Sequence, residues 1–161
     1  MSLLNPIRRH PAVVVSLCLL SLQALAVDVP NRNPPVEERS LREARAAIAA
    51  SRWVEAVEKL RAHVKSDSDD ADAYNLLGYS LRRSGQHADA QLAYERALQI
   101  DPSHRGAHEY LGELMLTLGR RDRAAFHLGQ LKQLCQAQCE EYLQLKKSVD
   151  GQAPSPPSRP W

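Results

Sequence analysis

The sequence predicts an all-α protein, an α-solenoid of three helical hairpins closed by a C-terminal capping helix. Two observations predict it: a composition of helix formers with no strand pattern, and a chain that aligns with itself at a shift of 34 residues. Of the 161 residues, 43% are hydrophobic, yet there are only one Phe, five Tyr and two Trp. Ala, Leu, Arg, Glu and Gln dominate the middle of the chain, the residues that cost least in a helix. After residue 30 no β-branched run alternates apolar with polar, so no strand is expected.

The first 26 residues are expected to stand apart from the fold as a signal peptide. Arg8 and Arg9 form a basic start, residues 12–22 are apolar, and Ala24-Leu25-Ala26 supplies the small residues at which a signal peptidase cuts. The apolar run is shorter than the roughly 20 residues a bilayer span needs; an uncleaved anchor is the alternative. Leu17 is too large for a lipid-attachment site at Cys18. The expected location is periplasmic or secreted, with no stable membrane insertion after cleavage. Loss of Arg8 and Arg9 leaves 19 basic against 19 acidic side chains. A neutral chain without a basic block is not expected to take nucleic acid or to cling to an anionic membrane. Residues 27–35, with Pro30, Pro34 and Pro35, read as a Pro-rich linker; 150–161, with four Pro and a terminal Trp161, reads as a disordered tail.

The repeat spans 37–138 as three units, 37–70, 71–104 and 105–138. Tyr74, Leu77, Gly78, Leu81, Gly85, Ala90, Tyr94 and Ala97 fall on His108, Leu111, Gly112, Met115, Gly119, Ala124, Leu128 and Leu131. The first unit is weaker: Ala44, Ala47, Ser51, Ala56 and Leu60 take the equivalent places. Glycine inside a helix costs about 1 kcal/mol relative to Ala, so Gly78 and Gly112 imply close helix approach, with Ala90 and Ala124 as the expected small partners. Gly85 and Gly119 suit left-handed turns, and Pro102 ends the second helix of the middle unit. The expected helices are about 36–50, 53–66, 70–84, 87–100, 104–118, 121–135 and 139–149. In the last, the capping helix, Tyr142, Leu143 and Leu145 are expected to cover the final hairpin. One hairpin cannot bury its apolar face alone; stacked neighbours can.

This pattern of aromatic, Leu-Gly, hydrophobe, turn Gly, small Ala, aromatic and Ala, closed by Asp101-Pro102, resembles the tetratricopeptide repeat family. The resemblance implies a non-enzymatic protein–protein interaction module, here a scaffold or adaptor in the bacterial envelope. It also implies that the first helix of each hairpin lines a concave groove for a peptide or partner helix. By that resemblance the groove shows Arg45 and Ile48 from the first unit. Asn75, Tyr79, Arg82 and Arg83 come from the second, and Glu109, Glu113 and Leu116 from the third. Tyr79, read as an exposed aromatic ringed by Arg, is the expected anchor; an ordinary solvated helix face is the alternative. The partner's identity is left open, and self-assembly through edge helices is a further possibility.

Cys135 and Cys139 are the only cysteines after residue 26. An even pair in an exported chain suggests a disulfide. A redox-active or metal-binding dithiol, which would make the protein a redox or metal-handling accessory, is the alternative, and two free thiols a third. No metal or cofactor site is expected: zinc wants four ligands and only two are at hand. His104 and His108 are four apart, but His108 holds the aromatic place of its repeat and is expected to pack. Ser66-Asp67-Ser68-Asp69-Asp70 suits helix capping better than calcium. No phosphate-binding loop, His-Glu-x-x-His or serine elbow is present, so no enzyme is expected.

Overall fold

The computed structural model describes residues 36–151; the signal peptide, the linker and all but the start of the expected tail lie outside the described residues. Seven helices follow one another: α1 Val36–Ala49, α2 Trp53–Ser66, α3 Ala71–Arg83, α4 His87–Ile100, α5 Arg105–Thr117, α6 Arg121–Cys135 and α7 Glu140–Val149. Among the described residues there is no strand. The helices pair as hairpins α1–α2, α3–α4 and α5–α6, each stacked on the next, and α7 packs on α5 and α6. None of the described helices is long and apolar enough to cross a membrane.

The hairpin turns share one device at a 34-residue spacing. Ser51, Gly85 and Gly119 all adopt left-handed backbone, with φ of 57°, 81° and 73°. In each, the next residue's N–H reaches the carbonyl five residues back: Arg52 to Ala47, Gln86 to Leu81 and Arg120 to Met115, at 2.8–2.9 Å. This satisfies carbonyls that the helix end leaves open. Glycine adopts that φ freely; Ser51 does so against the steric cost of its Cβ.

Gly78 and Gly112 do mark close approaches, but not to the expected alanines. A Cβ on Gly78 would stand 2.6 Å from the ring of Tyr94. On Gly112 it would stand 2.5 Å from a methyl of Leu145, in α7. The two repeats therefore use the same glycine to admit different neighbours. Tyr94 and Leu145 are fully buried, and burial of a large apolar side chain contributes about 1.5–3 kcal/mol. Tyr142 is half-buried, whereas Leu143, expected to cover the last hairpin, is 47% exposed. Gln144 takes the buried place beside Leu145 instead.

The Ser66–Asp70 segment caps, as its sequence suggests. The Asp70 Oδ1 accepts the Ala73 N–H at 2.9 Å, and its Oδ2 meets the Nε2 of buried His63 at 2.9 Å. Asp67 accepts the Asp69 N–H. Arg96 crosses from α4 to the Ser68 carbonyl and the Asp69 carboxylate, locking the turn to the next hairpin.

Candidate functional site

The residues read as groove-lining sit on α1, α3 and α5, the first helices of the hairpins. On α3, Asn75, Tyr79 and Arg82 recur every three to four residues and so share one face. Glu109, Glu113 and Leu116 do the same on α5. Arg82 reaches from α3 to α5, its Nη1 2.9 Å from the Glu113 carboxylate. At the other end of the pair, a Cβ on Gly106 would stand 3.2 Å from the Asn75 amide nitrogen. Asn75 thus lies against α5 one turn before Glu109, and the Arg82–Glu113 pair joins the helices one turn after it.

Tyr79 is not the exposed anchor that the sequence suggests; it is 5% exposed. Its ring meets Trp53 edge-on with centroids 5.9 Å apart and Tyr110 at 5.2 Å, and Tyr110 continues to Tyr94 at 6.3 Å. Arg83 lies 4.5 Å over the Trp53 ring and donates to the Tyr79 hydroxyl at 3.3 Å. Arg82 lies over both Tyr79 and Tyr110. The rings meet edge-on or tilted and the guanidiniums lie over their faces, an arrangement that binds α2, α3 and α5 together. Tyr94 and Tyr110 are held in the neutral form by burial.

Ile48 is core, 3% exposed. It follows α1 into the packed interior because Ala44, Ala47 and Ile48 form the stripe that meets α2. Asn75 and Glu109 are buried as well, at 7% each. Arg45 and Arg83 are exposed and Leu116 is partly so. The structure thus divides the nine expected residues. Ile48, Asn75, Tyr79 and Glu109 form a floor; Arg82 and Glu113 are bonded across it; Arg45, Arg83 and Leu116 keep access to solvent. Trp53 and Tyr110 belong to the same surroundings and were not among the residues expected there. Trp53 starts a second helix, and Tyr110 follows Glu109 out of repeat register.

Glu109 is the electrostatic outlier of this floor. Burial, then the charges of Glu113, Glu141 and Glu140, push its carboxyl up to about 8, against a weaker opposing pull from Arg82. Among the described residues, none donates a hydrogen bond to it. Glu141 is engaged by Arg105 at 3.6 Å. Beneath α5, His108 and His127 are buried with their Nδ1 atoms 3.0 Å apart. The Pro102 carbonyl, 3.1 Å from the His108 Nε2, only accepts. His108 therefore carries its proton on Nε2, and His127 donates from Nδ1 to the bare Nδ1 of His108. Burial and the facing ring push His127 down to about 4, and burial likewise lowers His108. His104 faces elsewhere: its Nδ1 caps the Ala107 N–H and its Nε2 donates to Asp72. The pair His104 and His108 is not a ligand set.

Cys135 ends α6 and Cys139 precedes α7; they are bonded as a disulfide with Cα atoms 5.6 Å apart. Gln136 and Ala137 between them both adopt left-handed backbone, with φ of 53° and 64°. Ser51, Trp53, Val54, Glu58 and Ser84 help to line an open depression of about 650 Å³. Leu92 and Phe126, 34 residues apart, stand exposed on α4 and α6.

Two family models match the chain, at residues 41–104 and 81–149, each described as Tetratricopeptide repeat. The chain belongs to the tetratricopeptide repeat family. Solved structures agree on the fold. The Arabidopsis OM64 TPR domain superposes with a TM-score of 0.67 at 19% identity, over 72% of this chain and 95% of that one. The first TPR of Spaghetti (RPAP3) bound to HSP90 peptide SRMEEVD gives 0.66 at 12%, over 71% and 90%. The Yersinia enterocolitica type III secretion chaperone SycD, in complex with a peptide of the translocator YopD, gives 0.63 at 20%, over 71% and 86%. At these identities the likeness concerns the fold alone. No curated protein matches the sequence.

Proposed function

We propose that this tetratricopeptide repeat protein is a non-enzymatic scaffold or adaptor of the bacterial envelope that holds a segment of another protein on its inner helical face. The observation that carries the reading is the division of that face. Arg45, Arg83 and Leu116 present charge and apolar surface to solvent over a floor packed from buried aromatic rings and the Arg82–Glu113 pair. Such a floor lets a partner dock without first ordering the site, and ordering is a main cost of binding. Two similar folds, the Spaghetti and SycD domains, are known with peptides bound. Export is supported by the basic, apolar and small-residue pattern of residues 1–26. The Cys135–Cys139 bridge takes the role of a tie that keeps α7 on the last hairpin, closing a loop whose left-handed residues are not glycine.

The test is residue-specific photo-crosslinking in the periplasm. A crosslinking amino acid at Arg45 or Leu116 is expected to trap one protein through a single segment. The same probe at outer residues Leu92 and Phe126 is expected to trap nothing reproducible. Trapping of the same protein from the outer positions alone would overturn the assignment to the inner face.

A further inference from the structure

The junction between the first two hairpins brings three metal-ligating side chains together. His63 lies in the last turn of α2, Asp67 is the C-cap of that helix and Asp70 is the N-cap of α3. Each offers one nitrogen or oxygen, and the three atoms all lie within 4.8 Å of one another. Their other polar atoms are engaged and hold them in place. The Asp70 Oδ1 accepts the Ala73 N–H, the Asp67 Oδ1 accepts the Asp69 N–H, and the His63 Nδ1 lies 3.3 Å from the Ser40 Oγ on α1. Capping therefore accounts for one oxygen of each aspartate and leaves a second.

Charge points the same way. Asp69, the remaining acid of the turn, is paired with Arg96. Among the described residues no Lys or Arg pairs with Asp67 or Asp70, and the ion-pair partner of Asp70 is the His63 Nε2, 2.9 Å from its Oδ2. Two carboxylates thus converge on one imidazole that is itself 4% exposed. The cluster is open on one side, because Asp67 is exposed and Asp70 only half-buried, so an ion can enter from solvent.

We infer that His63, Asp67 and Asp70 bind a divalent transition-metal ion, zinc or a close neighbour of zinc. An imidazole nitrogen with carboxylate oxygens suits such ions, whereas calcium and magnesium take oxygen ligands. The tautomer that donates its Nδ1–H to Ser40 leaves the Nε2 lone pair for the metal, the role an outer partner plays for most ligating histidines. Ligands that share one zinc stand about 3.3 Å apart. His63 and Asp70 are already within that separation, and rotation of the exposed Asp67 side chain closes the rest. Three protein ligands leave a fourth position to water. The ion ties the end of α2 to the start of α3, and none of the residues read as inner-face takes part.

The experiment is calorimetric titration of the purified, tag-free full chain, stripped of metal by a chelator, with zinc chloride at pH 7. The expected result is one zinc per chain, undisturbed by calcium or magnesium in about hundredfold excess. Asp70→Asn keeps the helix cap, since Asn caps as well as Asp, and Asp67→Asn alters an exposed side chain. Each is expected to weaken zinc binding about tenfold or more. Asp72→Asn, which removes the carboxylate beside His104, is expected to leave binding unchanged. Imidazole ¹⁵N shifts of the unaltered chain read the ligand without any variant: zinc is expected to move the His63 Nε2 resonance and leave Nδ1 protonated. No zinc bound at submillimolar concentration, displacement by calcium, unchanged affinity in both Asp67→Asn and Asp70→Asn, loss in Asp72→Asn alone, or a His63 ring whose shifts zinc does not move would each overturn the inference.

Discussion

The middle and last hairpins are one 34-residue pattern written twice, and they part company in what they bury. Where α3 has Tyr74 and Asn75, α5 has His108 and Glu109; where α4 has Tyr94, α6 has Leu128. In the middle hairpin Gly78 closes on the Tyr94 ring from its own partner helix. In the last hairpin Gly112 closes on Leu145 from α7, so that hairpin is completed from outside itself. The last hairpin also holds two ionisable groups that burial shifts in opposite directions: the Glu109 carboxyl, pushed up to about 8, and the His127 ring, pushed down to about 4. A repeat fixes the backbone and leaves each unit free to specialise its interior.

The largest effect that sharpens this contrast is at Glu109. Its folded pKa of about 8 lies above its ordinary value of 4.5. The unfolded chain therefore loses that proton first as pH rises, and stability falls between pH 4.5 and 8. Glu109→Gln is expected to raise unfolding free energy by about 4 kcal/mol at pH 8 and by nearly nothing at pH 4.5. Urea titration at the two pH values checks it; a gain independent of pH would contradict the burial argument.

His127 acts in the opposite sense. Its folded pKa of about 4 lies below its ordinary 6.5, so the unfolded chain takes up the proton first as pH falls. Stability is full above pH 6.5 and about 3 kcal/mol is lost by pH 4. His127→Gln is expected to flatten that loss in thermal melts across the range.

The glycines come next. Gly78→Ala forces a methyl against a ring held on all sides, and is expected to cost about 2 kcal/mol net of the better helix propensity. Gly112→Ala meets the tip of a leucine on a terminal helix, which can turn aside, and should cost less than half as much. Equal losses in denaturant titration would erase the distinction between a self-contained hairpin and one completed by α7.

The smallest effect is at the turns. Ser51 holds a left-handed φ that its counterparts Gly85 and Gly119 hold as glycine. Ser51→Gly is expected to add about 1 kcal/mol of stability, read as a rise in melting temperature.

The helices were legible in the sequence because their signals are local. Gly85, Gly119 and Pro102 punctuate the chain, and each observed helix end lies within a residue of expectation. Leu77, Leu81 and Leu111 recur at helical spacing and are buried. Resemblance to the family assigned the inner face to residues of α1, α3 and α5, the first helices of the hairpins. What escaped is which of them are covered, because that depends on neighbours from other repeats. Tyr79 disappears between Trp53 of α2 and Tyr110 of α5, and no spacing within α3 announces it. Gln144, a polar residue on the capping helix, carries no sequence signal of burial, yet it is buried beside Leu145. The left-handed pair Gln136 and Ala137 carries no glycine signal; the neighbouring Cys135–Cys139 bond accompanies it.

The central claim is that the inner face, and not the outer one, holds the partner. Amide chemical shifts of the ¹⁵N-labelled protein, followed during titration with the segment that crosslinking from Arg45 or Leu116 traps, test it most directly. The account predicts shifts confined to α1, α3 and α5, largest around Arg45, Arg83 and Leu116. Shifts centred on Leu92 and Phe126 of α4 and α6 would contradict it.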